Sequence, residues 1–309
     1  MEYFLSVLGF IILISSGHFL VKGSVSLARF FGLSTLVIGV TIVAFGTSAP
    51  ELLVSIQAAV GNHPEMALGN VVGSNISNIA LILAITAIIL PIPVNRNSII
   101  IDWPVMMGAS ILLAIFALDR VLTFPEGLIF LLILVAFIWF IIRKSRKAFK
   151  PDAGEEENST YSMPVSIIVI VISVAGLALG ARLLVNNATI IAQDLGVSER
   201  AIAVSMIAVG TSLPELVTSV IAAIQKQTDI SVGNIIGSNI FNVLSVLGIA
   251  AMVKPIQVSE LILVDIAVML AFSLILLFMM LPPRVGKIIR AEGLILLAGY
   301  FGYLVYVFK

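Results

Sequence analysis

The sequence predicts an all-α membrane protein of ten transmembrane helices, arranged as two inverted-topology repeats of five helices, with discontinuous helices at the midplane. Three observations predict this fold class. Hydrophobic residues make up 60% of the chain and charged residues 11%, which leaves too little polar surface for a soluble domain. Apolar runs of about 20 residues recur along the chain, as transmembrane helices require. The two halves of the chain also resemble each other in sequence.

The apolar runs define ten candidate spans. Their approximate limits are 3–21, 34–60, 66–90, 103–118, 124–142, 164–186, 198–225, 230–252, 259–281 and 291–308. The first run lacks a basic start and a small-residue cleavage site, so we interpret it as a span rather than a removable signal peptide. Residues 143–163 are charged, and we interpret them as a solvated linker between two groups of five spans.

The second group of spans repeats the first with an offset of 164 residues, without a gap between Leu20 and Asn78. We therefore expect a first repeat at 1–142 with a polar motif at 44–78, and a second repeat at 164–309 with its motif at 208–242. Five is an odd number, so the second repeat must enter the membrane from the opposite side. Inverted repeats of this kind place substrate sites near the bilayer midplane, between discontinuous helices.

The distribution of Lys and Arg predicts the orientation. Twelve of the 17 basic residues fall on one side of the ten-span layout and five on the other. The richer side includes the 143–163 linker, which is therefore expected in the cytoplasm, with both termini outside. The protein is expected in the cell membrane as a multi-pass protein.

Each repeat carries a polar segment inside an apolar run. The first is Gly46-Thr47-Ser48-Ala49-Pro50-Glu51 and the second is Gly210-Thr211-Ser212-Leu213-Pro214-Glu215. Proline removes a backbone donor and its ring opposes the carbonyl four residues earlier, so both helices should break here. Carbonyls near Ala44, Thr47, Ala208 and Thr211 would then be free to bind a ligand. Irregular backbone at this depth is tolerated only where it lines a cavity.

The polar groups of these segments are oxygen ligands. Two carboxylates, Glu51 and Glu215, are accompanied by hydroxyls, amides and freed carbonyls, while the chain has no cysteine and only two histidines. Hard cations such as Ca²⁺ and Na⁺ prefer oxygen ligands. A duplicated intramembrane acid favours a functional role over a structural one. Without a cation, the two buried carboxylates would repel each other and resist ionising.

Two interpretations of nearby polar residues stay open at this point. Asn75 and Asn239 either bridge helices or contact an ion. Ser48 and Ser212 could in principle be hydrolase nucleophiles, but no intramembrane histidine or lysine stands ready as a base, so no enzyme activity or cofactor is expected.

The motifs resemble the alpha repeats of the sodium/calcium exchanger family within the cation/calcium antiporter superfamily. The residues that carry the resemblance are the two segments above together with Gly69-Asn70-Val71-Val72-Gly73-Ser74-Asn75-Ile76-Ser77-Asn78 and Gly233-Asn234-Ile235-Ile236-Gly237-Ser238-Asn239-Ile240-Phe241-Asn242. Four linked motifs agree in order and spacing, and the ten-span layout extends the resemblance over the whole chain. The short linker resembles that of minimal prokaryotic members.

The resemblance implies one calcium site and several sodium sites at the midplane. Glu51 and Glu215 would be shared, and the carbonyls of Thr47 and Thr211 would complete the calcium site. The groups that would face sodium are Ser48, Ser74, the carbonyl of Ala44, Ser212, Ser238 and the carbonyl of Ala208. Asn78 and Asn242 would line the middle. Potassium-dependent members look to have aspartate at the position of Asn242, so the amide argues against potassium transport.

The expected function is antiport that extrudes Ca²⁺ with the inward Na⁺ gradient by alternating access. The resemblance implies that spans 3–21 and 164–186, which lack the ligands, slide over the remaining spans. The expected partners are Ca²⁺, Na⁺ and membrane lipid, with no nucleic acid and a monomeric chain. Two alternatives remain. A proton/calcium antiporter would use the same acids, although protons need no hydroxyl-rich motif. A cation channel would need a continuous polar path, whereas the polar residues cluster at the midplane.

Overall fold

The structure is a computed structural model that describes residues 1–148, 160–195, 210–281 and 286–307. The described part is almost entirely helical. Its helices are α1 Glu2–Phe31, α2 Thr35–Thr47, α3 Ala49–Val60, α4 Pro64–Ile89, α5 Ser98–Asp119, α6 Phe124–Ala148, α7 Met163–Asp194, α8 Leu213–Ile224, α9 Thr228–Val253, α10 Glu260–Met280 and α11 Arg290–Val307. The prediction of an all-α protein is therefore confirmed.

Several of these helices can cross a membrane. Within the described ranges, seven are long and apolar enough, and the bent pair α2 and α3 adds an eighth if it forms one span. The helix α1 is longer than the predicted span 3–21, because it ends only where Gly32 adopts a left-handed conformation with φ of 61°. The predicted span 198–225 is described only from residue 210 onward.

The two helices with the second polar motif of each half, α4 and α9, form the centre of the molecule. In their most apolar 18-residue windows, 72% and 89% of residues are buried, against 28% in each of the other five long helices. A helix that is buried all round belongs in a protein interior. Every residue of the motif at 233–242 is therefore buried, and most residues of the motif at 69–78 are buried as well.

The long helices α1 and α7 pack against each other through glycines. A methyl group added at Gly9 would lie 2.9 Å from the Gly180 carbonyl oxygen, and one added at Gly180 would lie equally close, 2.9 Å, to the Gly9 carbonyl oxygen. Small residues allow such close backbone approach between membrane helices. These two helices contain the predicted spans 3–21 and 164–186, so the pair expected to move together is packed together.

Two short antiparallel sheets join the halves of the chain. The strand β1 Ile92–Pro93 pairs with β4 Lys287–Ile288, and β2 Val121–Leu122 pairs with β3 Ile256–Gln257. Each sheet takes one strand from each half. The connections that follow the third and ninth predicted spans therefore lie together, as do those that follow the fourth and eighth.

Candidate cation-binding site

Both polar segments with proline are breaks in the helical path. Ser48 separates α2 from α3 with φ of −83° and ψ of 5°, and the two helices bend by 45°. Ser212 precedes α8 with nearly the same angles, φ of −89° and ψ of 1°. Pro50 and Pro214 lie at the second position of the helix that follows, where a missing N–H costs nothing. The sequence thus starts a new helix at the same point in each half.

The two acids lie in the first turns of these new helices, at Glu51 and Glu215. Each is 1% exposed, and the two carboxylates are close enough to repel each other. The positive end of a helix dipole stabilises negative charge in this position. The side-chain hydroxyl of Ser48 donates a hydrogen bond of 3.1 Å to Oε1 of Glu215. The other three carboxylate oxygens have no hydrogen-bond partner among the described residues.

Thr47 links the break in the first half to α9 of the second half. Its hydroxyl donates to Oδ1 of Asn234 at 3.0 Å and lies 3.4 Å from the hydroxyl of Ser238. It also lies 3.3 Å from the carbonyl oxygen of Ala44, which accepts a 3.0 Å hydrogen bond from the backbone N–H of Ser48. The Ala44 carbonyl therefore accepts hydrogen bonds from Thr47 and Ser48, because α2 continues to Thr47 and the break comes only at Ser48. Sodium contact at this oxygen would have to displace the Thr47 hydroxyl.

The remaining predicted hydroxyls differ in their surroundings. Ser74 is 5% exposed on α4 and Ser212 is 2% exposed, with its hydroxyl free of a hydrogen-bond partner in the described part of the chain. Thr211 lies in the turn before α8 and is partly exposed. Ala208 lies outside the described residues. The structure therefore brings one predicted hydroxyl of the first half, that of Ser48, to the second-half acid.

Two further asparagines hold the acids in place. Asn70 donates to the carbonyl oxygen of Glu51 at 3.4 Å and to the hydroxyl of Ser55 at 3.1 Å. Asn234 does the same in the second half, to the carbonyl of Glu215 at 3.4 Å and to the hydroxyl of Ser219 at 3.0 Å. The sequence analysis places Asn70 and Asn234 in the repeat but predicts no role for them. The two asparagines lie equally far along the chain from their acids, and this spacing is the signal that could have indicated their shared role.

Asn78 and Asn242 begin π-helical turns in the middle of α4 and α9, at Asn78–Leu83 and Asn242–Leu247. Such turns are frequent at functional sites because they displace one residue from the regular helix. Both asparagines are at most 1% exposed. Their Nδ2 groups donate hydrogen bonds, but neither Oδ1 atom has a partner among the described residues. Two more oxygen acceptors are thus left without a donor.

Glycines of α9 allow the first half to approach closely. A methyl group at Gly237 would lie 2.6 Å from the carbonyl oxygen of Val40 and 2.7 Å from Cβ of Ala44. At Gly233 it would lie 2.8 Å from the carbonyl oxygen of Leu36. These two glycines allow α9 to pack closely against α2, where Ser238 lies 3.4 Å from the hydroxyl of Thr47.

The buried oxygens without partners fit a hard cation. Among the described residues, those that belong to the two polar motifs are both oxygens of Glu51, Oε2 of Glu215, Oδ1 of Asn78, Oδ1 of Asn242 and the hydroxyl of Ser212. Buried polar atoms are normally hydrogen-bonded, so several in one motif set require an explanation. Carboxylate, amide and hydroxyl oxygens are the ligands that Ca²⁺ takes. The described residues contain no group of three or more His, Cys, Asp or Glu side chains placed together so that they could hold a metal ion.

Comparison with known proteins agrees with this chemistry. The family model described as "Sodium/calcium exchanger protein" matches residues 1–143 and 165–309. The chain belongs to the sodium/calcium exchanger family. It is therefore a multi-pass membrane transporter of a family that exchanges cations for calcium, rather than an enzyme.

Individual members of the exchanger family match along nearly their whole length. The sodium/calcium exchanger MaX1 of Methanosarcina acetivorans is 32% identical, with 99% of this chain and 98% of that protein covered. CaxA of Alkalimonas amylolytica, named as a candidate antiporter, is 38% identical, with 96% of this chain and 95% of that protein covered. A solved structure of the sodium-calcium exchanger NCX_Mj, soaked with Na⁺ and without Ca²⁺, superposes with a TM-score of 0.85 at 31% identity and covers 98% of both chains.

Proposed function

We propose that this exchanger extrudes Ca²⁺ in return for Na⁺, by alternating access, electrogenically and without K⁺. The observation that carries the proposal is the set of buried oxygens of the two motifs that have no hydrogen-bond donor among the described residues. Glu51 and Glu215 supply three of these oxygens, and both halves of the chain contribute. A cation would satisfy these oxygens and offset the repulsion between the two carboxylates.

Charge balance explains why exchange would be coupled. Glu51 and Glu215 together carry a charge of −2 when both are ionised, which one Ca²⁺ or two Na⁺ would neutralise. Unpaired buried charge is costly, so a site without its cations would not reorient readily through the protein interior. Ca²⁺ and Na⁺ would then compete for the same oxygens, and a third Na⁺ would make each cycle electrogenic.

The individual ligand roles follow the two-fold repetition. We assign Glu51 and Glu215 to both ions, and the carbonyls of Thr47 and Thr211 to Ca²⁺. The sodium ligands would be Ser48, Ser74 and the carbonyl of Ala44 in the first half, and Ser212, Ser238 and the carbonyl of Ala208 in the second. Asn78 and Asn242 would line the middle with their free amide oxygens, a placement that their buried Oδ1 atoms support. The amide of Asn242 carries no charge, which argues against K⁺ as a further ion.

We further propose ten spans in two inverted repeats, 1–142 and 164–309, with the 143–163 linker in the cytoplasm and both termini outside. The two short sheets support this layout. The N–H of Val94, two residues before Arg96, donates to Gly286, beside Lys287, at 2.7 Å. The N–H of Val258 donates to the carbonyl of Arg120 at 2.8 Å. Connections assigned to the same side of the membrane by their basic residues thus lie in contact.

The helices α1 and α7 are the proposed moving part. They carry none of the assigned ligands, and they pack together through Gly9 and Gly180. This close backbone contact favours movement of α1 and α7 as one unit. Movement of this pair over the remaining helices would open the site to one side at a time.

Proton/calcium antiport remains the second candidate, because the carboxylate oxygens without donors could also accept protons. The hydroxyls of Ser48 and Ser212 beside the acids favour Na⁺, since a proton needs no such ligands. Calcium uptake into proteoliposomes, measured with an outward gradient of Na⁺, K⁺ or H⁺ in turn, decides between them. We expect uptake with the Na⁺ gradient alone. Uptake driven by the proton gradient and not by Na⁺ would overturn the proposal.

A further inference from the structure

Four buried asparagines form a crossed pair of hydrogen bonds at the centre of the molecule. Nδ2 of Asn78 donates to Oδ1 of Asn239 at 3.0 Å, and Nδ2 of Asn242 donates to Oδ1 of Asn75 at 3.0 Å. Each bond joins a residue of one half to a residue of the other. All four side chains are at most 1% exposed, so water does not compete for these groups.

Asn75 and Asn239 are in turn fixed by groups that can only accept. Nδ2 of Asn75 lies 3.6 Å from the sulfur of Met269 on α10 and 3.3 Å from the carbonyl oxygen of Asn239. Nδ2 of Asn239 lies 3.5 Å from the sulfur of Met106 on α5. A thioether has no proton to donate, so each amide must present its NH₂ group to the sulfur. The oxygen of each amide must therefore face the opposite way.

The amide orientation of Asn75 and Asn239 determines the amide orientation of the asparagine to which each one is bonded. Because Oδ1 of Asn75 faces Asn242, Asn242 has to present its NH₂ group there, and its own Oδ1 is turned away from Asn75. The same reasoning from Met106 through Asn239 turns Oδ1 of Asn78. These are the two amide oxygens that have no donor among the described residues. Reversal of either amide would present NH₂ groups where a cation requires an acceptor.

We propose that Asn75 and Asn239 are positioning residues that fix the amide orientation of the ion ligand in the opposite half: Asn75 acts on Asn242, and Asn239 acts on Asn78. The inference rests on the proposed function, because it assigns these residues to the same cation site. Neither Asn75 nor Asn239 contacts the ion. Their effect on ion affinity passes through the amide that each one holds.

A purely structural helix bridge would behave differently. Among the described residues, Asn70, on the same helix as Asn75, donates within its own half, to the carbonyl of Glu51 and the hydroxyl of Ser55. Loss of the Asn70 side chain should weaken ion binding by the same factor whether or not the Asn242 amide is present. Asn75 should instead lose its influence once Asn242 has no amide to orient. Asn70 is therefore the matched control for a test of coupling.

The test is a set of double-mutant cycles on the calcium concentration that half-saturates sodium-driven uptake in proteoliposomes. Asn75→Leu should raise this concentration by about tenfold or more in the otherwise unchanged protein, since it leaves the Asn242 amide without its acceptor. In the Asn242→Ala background, Asn75→Leu should change the half-saturating calcium concentration by less than about twofold. In the Asn78→Ala background, the full effect of Asn75→Leu should remain. Asn239→Leu should show the reverse pattern, and the effect of Asn70→Leu should be additive with that of Asn242→Ala.

A second variant keeps the test decisive if the leucine variants do not fold. Asn75→Gln retains an oxygen that can accept from Nδ2 of Asn242 and an NH₂ group for the neighbouring acceptors, without adding charge, so it should keep half-saturation within about threefold of the unchanged protein, whereas Asn75→Ala should not. Equal effects of Asn75→Leu in both backgrounds, coupling within one half, or equal loss in Asn75→Gln and Asn75→Ala would each overturn the inference. Absence of sodium-driven uptake in the unchanged protein would instead refute the proposed function.

Discussion

Ser48 of the first half donates a 3.1 Å hydrogen bond to Glu215 of the second half, although 167 positions separate them in the chain. The neighbouring Thr47 likewise donates to Asn234 of the second half. Each motif therefore contributes groups to the surroundings of the other motif's residues. The two polar motifs therefore lie in contact, as the proposed shared site requires.

The first prediction concerns the two acids. Glu51→Gln and Glu215→Gln should each abolish sodium-driven calcium uptake while the protein remains folded. Each substitution removes half of the charge that balances Ca²⁺, so the cost of desolvating the ion is no longer offset. The measurement is uptake into proteoliposomes, with folding checked by thermal unfolding in detergent.

Asp265→Asn is the matched control for these substitutions. Asp265 is a membrane-helix carboxylate that accepts a hydrogen bond of 2.9 Å from Tyr303 and takes no part in the proposed site. Its amide keeps an acceptor for Tyr303, so calcium uptake should persist. Near-normal uptake by either glutamine variant would contradict the shared-carboxylate account.

The second prediction concerns the close approach of α9 to α2. Gly237→Ala should lower the free energy of unfolding by about 1–3 kcal/mol, the usual cost of overpacking. The added methyl group would meet backbone and a side chain at 2.6 and 2.7 Å, and neither can easily retreat. Thermal unfolding in detergent measures the effect. Gly108→Ala is the control, because no described atom lies within 4 Å of its added methyl group; equal loss in both variants would contradict the argument.

Much of this architecture could be predicted from sequence because the signals are local. Apolar run length predicted the helices, and Pro50 and Pro214 predicted the breaks that the structure places at Ser48 and Ser212. The repeat offset of 164 residues relates Glu51 to Glu215 from the sequence alone. The structure extends α1 to Phe31, since the basic residues in its last turns do not end a helix.

The contacts between the halves could not be predicted, because no local pattern specifies them. The sequence left Asn75 and Asn239 open between a helix bridge and an ion contact, and the structure shows that both bridge, each to an asparagine of the opposite half. The role of Met106 was not visible either. A buried methionine is common in apolar helices, and only its distance from an amide shows that it acts as an acceptor.

The third prediction concerns topology. A labelling reporter placed near Lys147 should react only from the cytoplasmic side, and one placed beyond Lys309 only from outside. The reason is the excess of basic residues on the side of the 143–163 linker together with an odd number of spans in each half. Reaction of both reporters from the same side would break the inverted-repeat layout.

The fourth prediction concerns protons and potassium. Acidification should inhibit calcium flux, because protons compete with cations for Glu51 and Glu215, and the inhibition should weaken as calcium is raised. K⁺ should have no effect on the unchanged protein. Asn242→Asp would add a third carboxylate beside the pair, so it should strengthen the inhibition by acid and introduce sensitivity to K⁺.

Calcium flux against pH, at two calcium concentrations and with or without K⁺, measures these effects in both proteins. Asn70→Asp serves as a control for added charge, since Asn70 donates to the backbone carbonyl of Glu51 and is not one of the four asparagines that are bonded to one another at the centre of the molecule. It should not introduce sensitivity to K⁺. A flux in the unchanged protein that ignores pH or requires K⁺ would show that the charge balance of the site is different.

The most direct test of a shared site is equilibrium binding of radioactive calcium to the purified protein as Na⁺ is raised, with K⁺ at equal ionic strength as the control. The account predicts that Na⁺ displaces calcium with a Hill coefficient above one, because at least two Na⁺ replace one Ca²⁺ at Glu51 and Glu215, while K⁺ leaves calcium bound. Calcium binding that is insensitive to Na⁺, or equally sensitive to both cations, would contradict it.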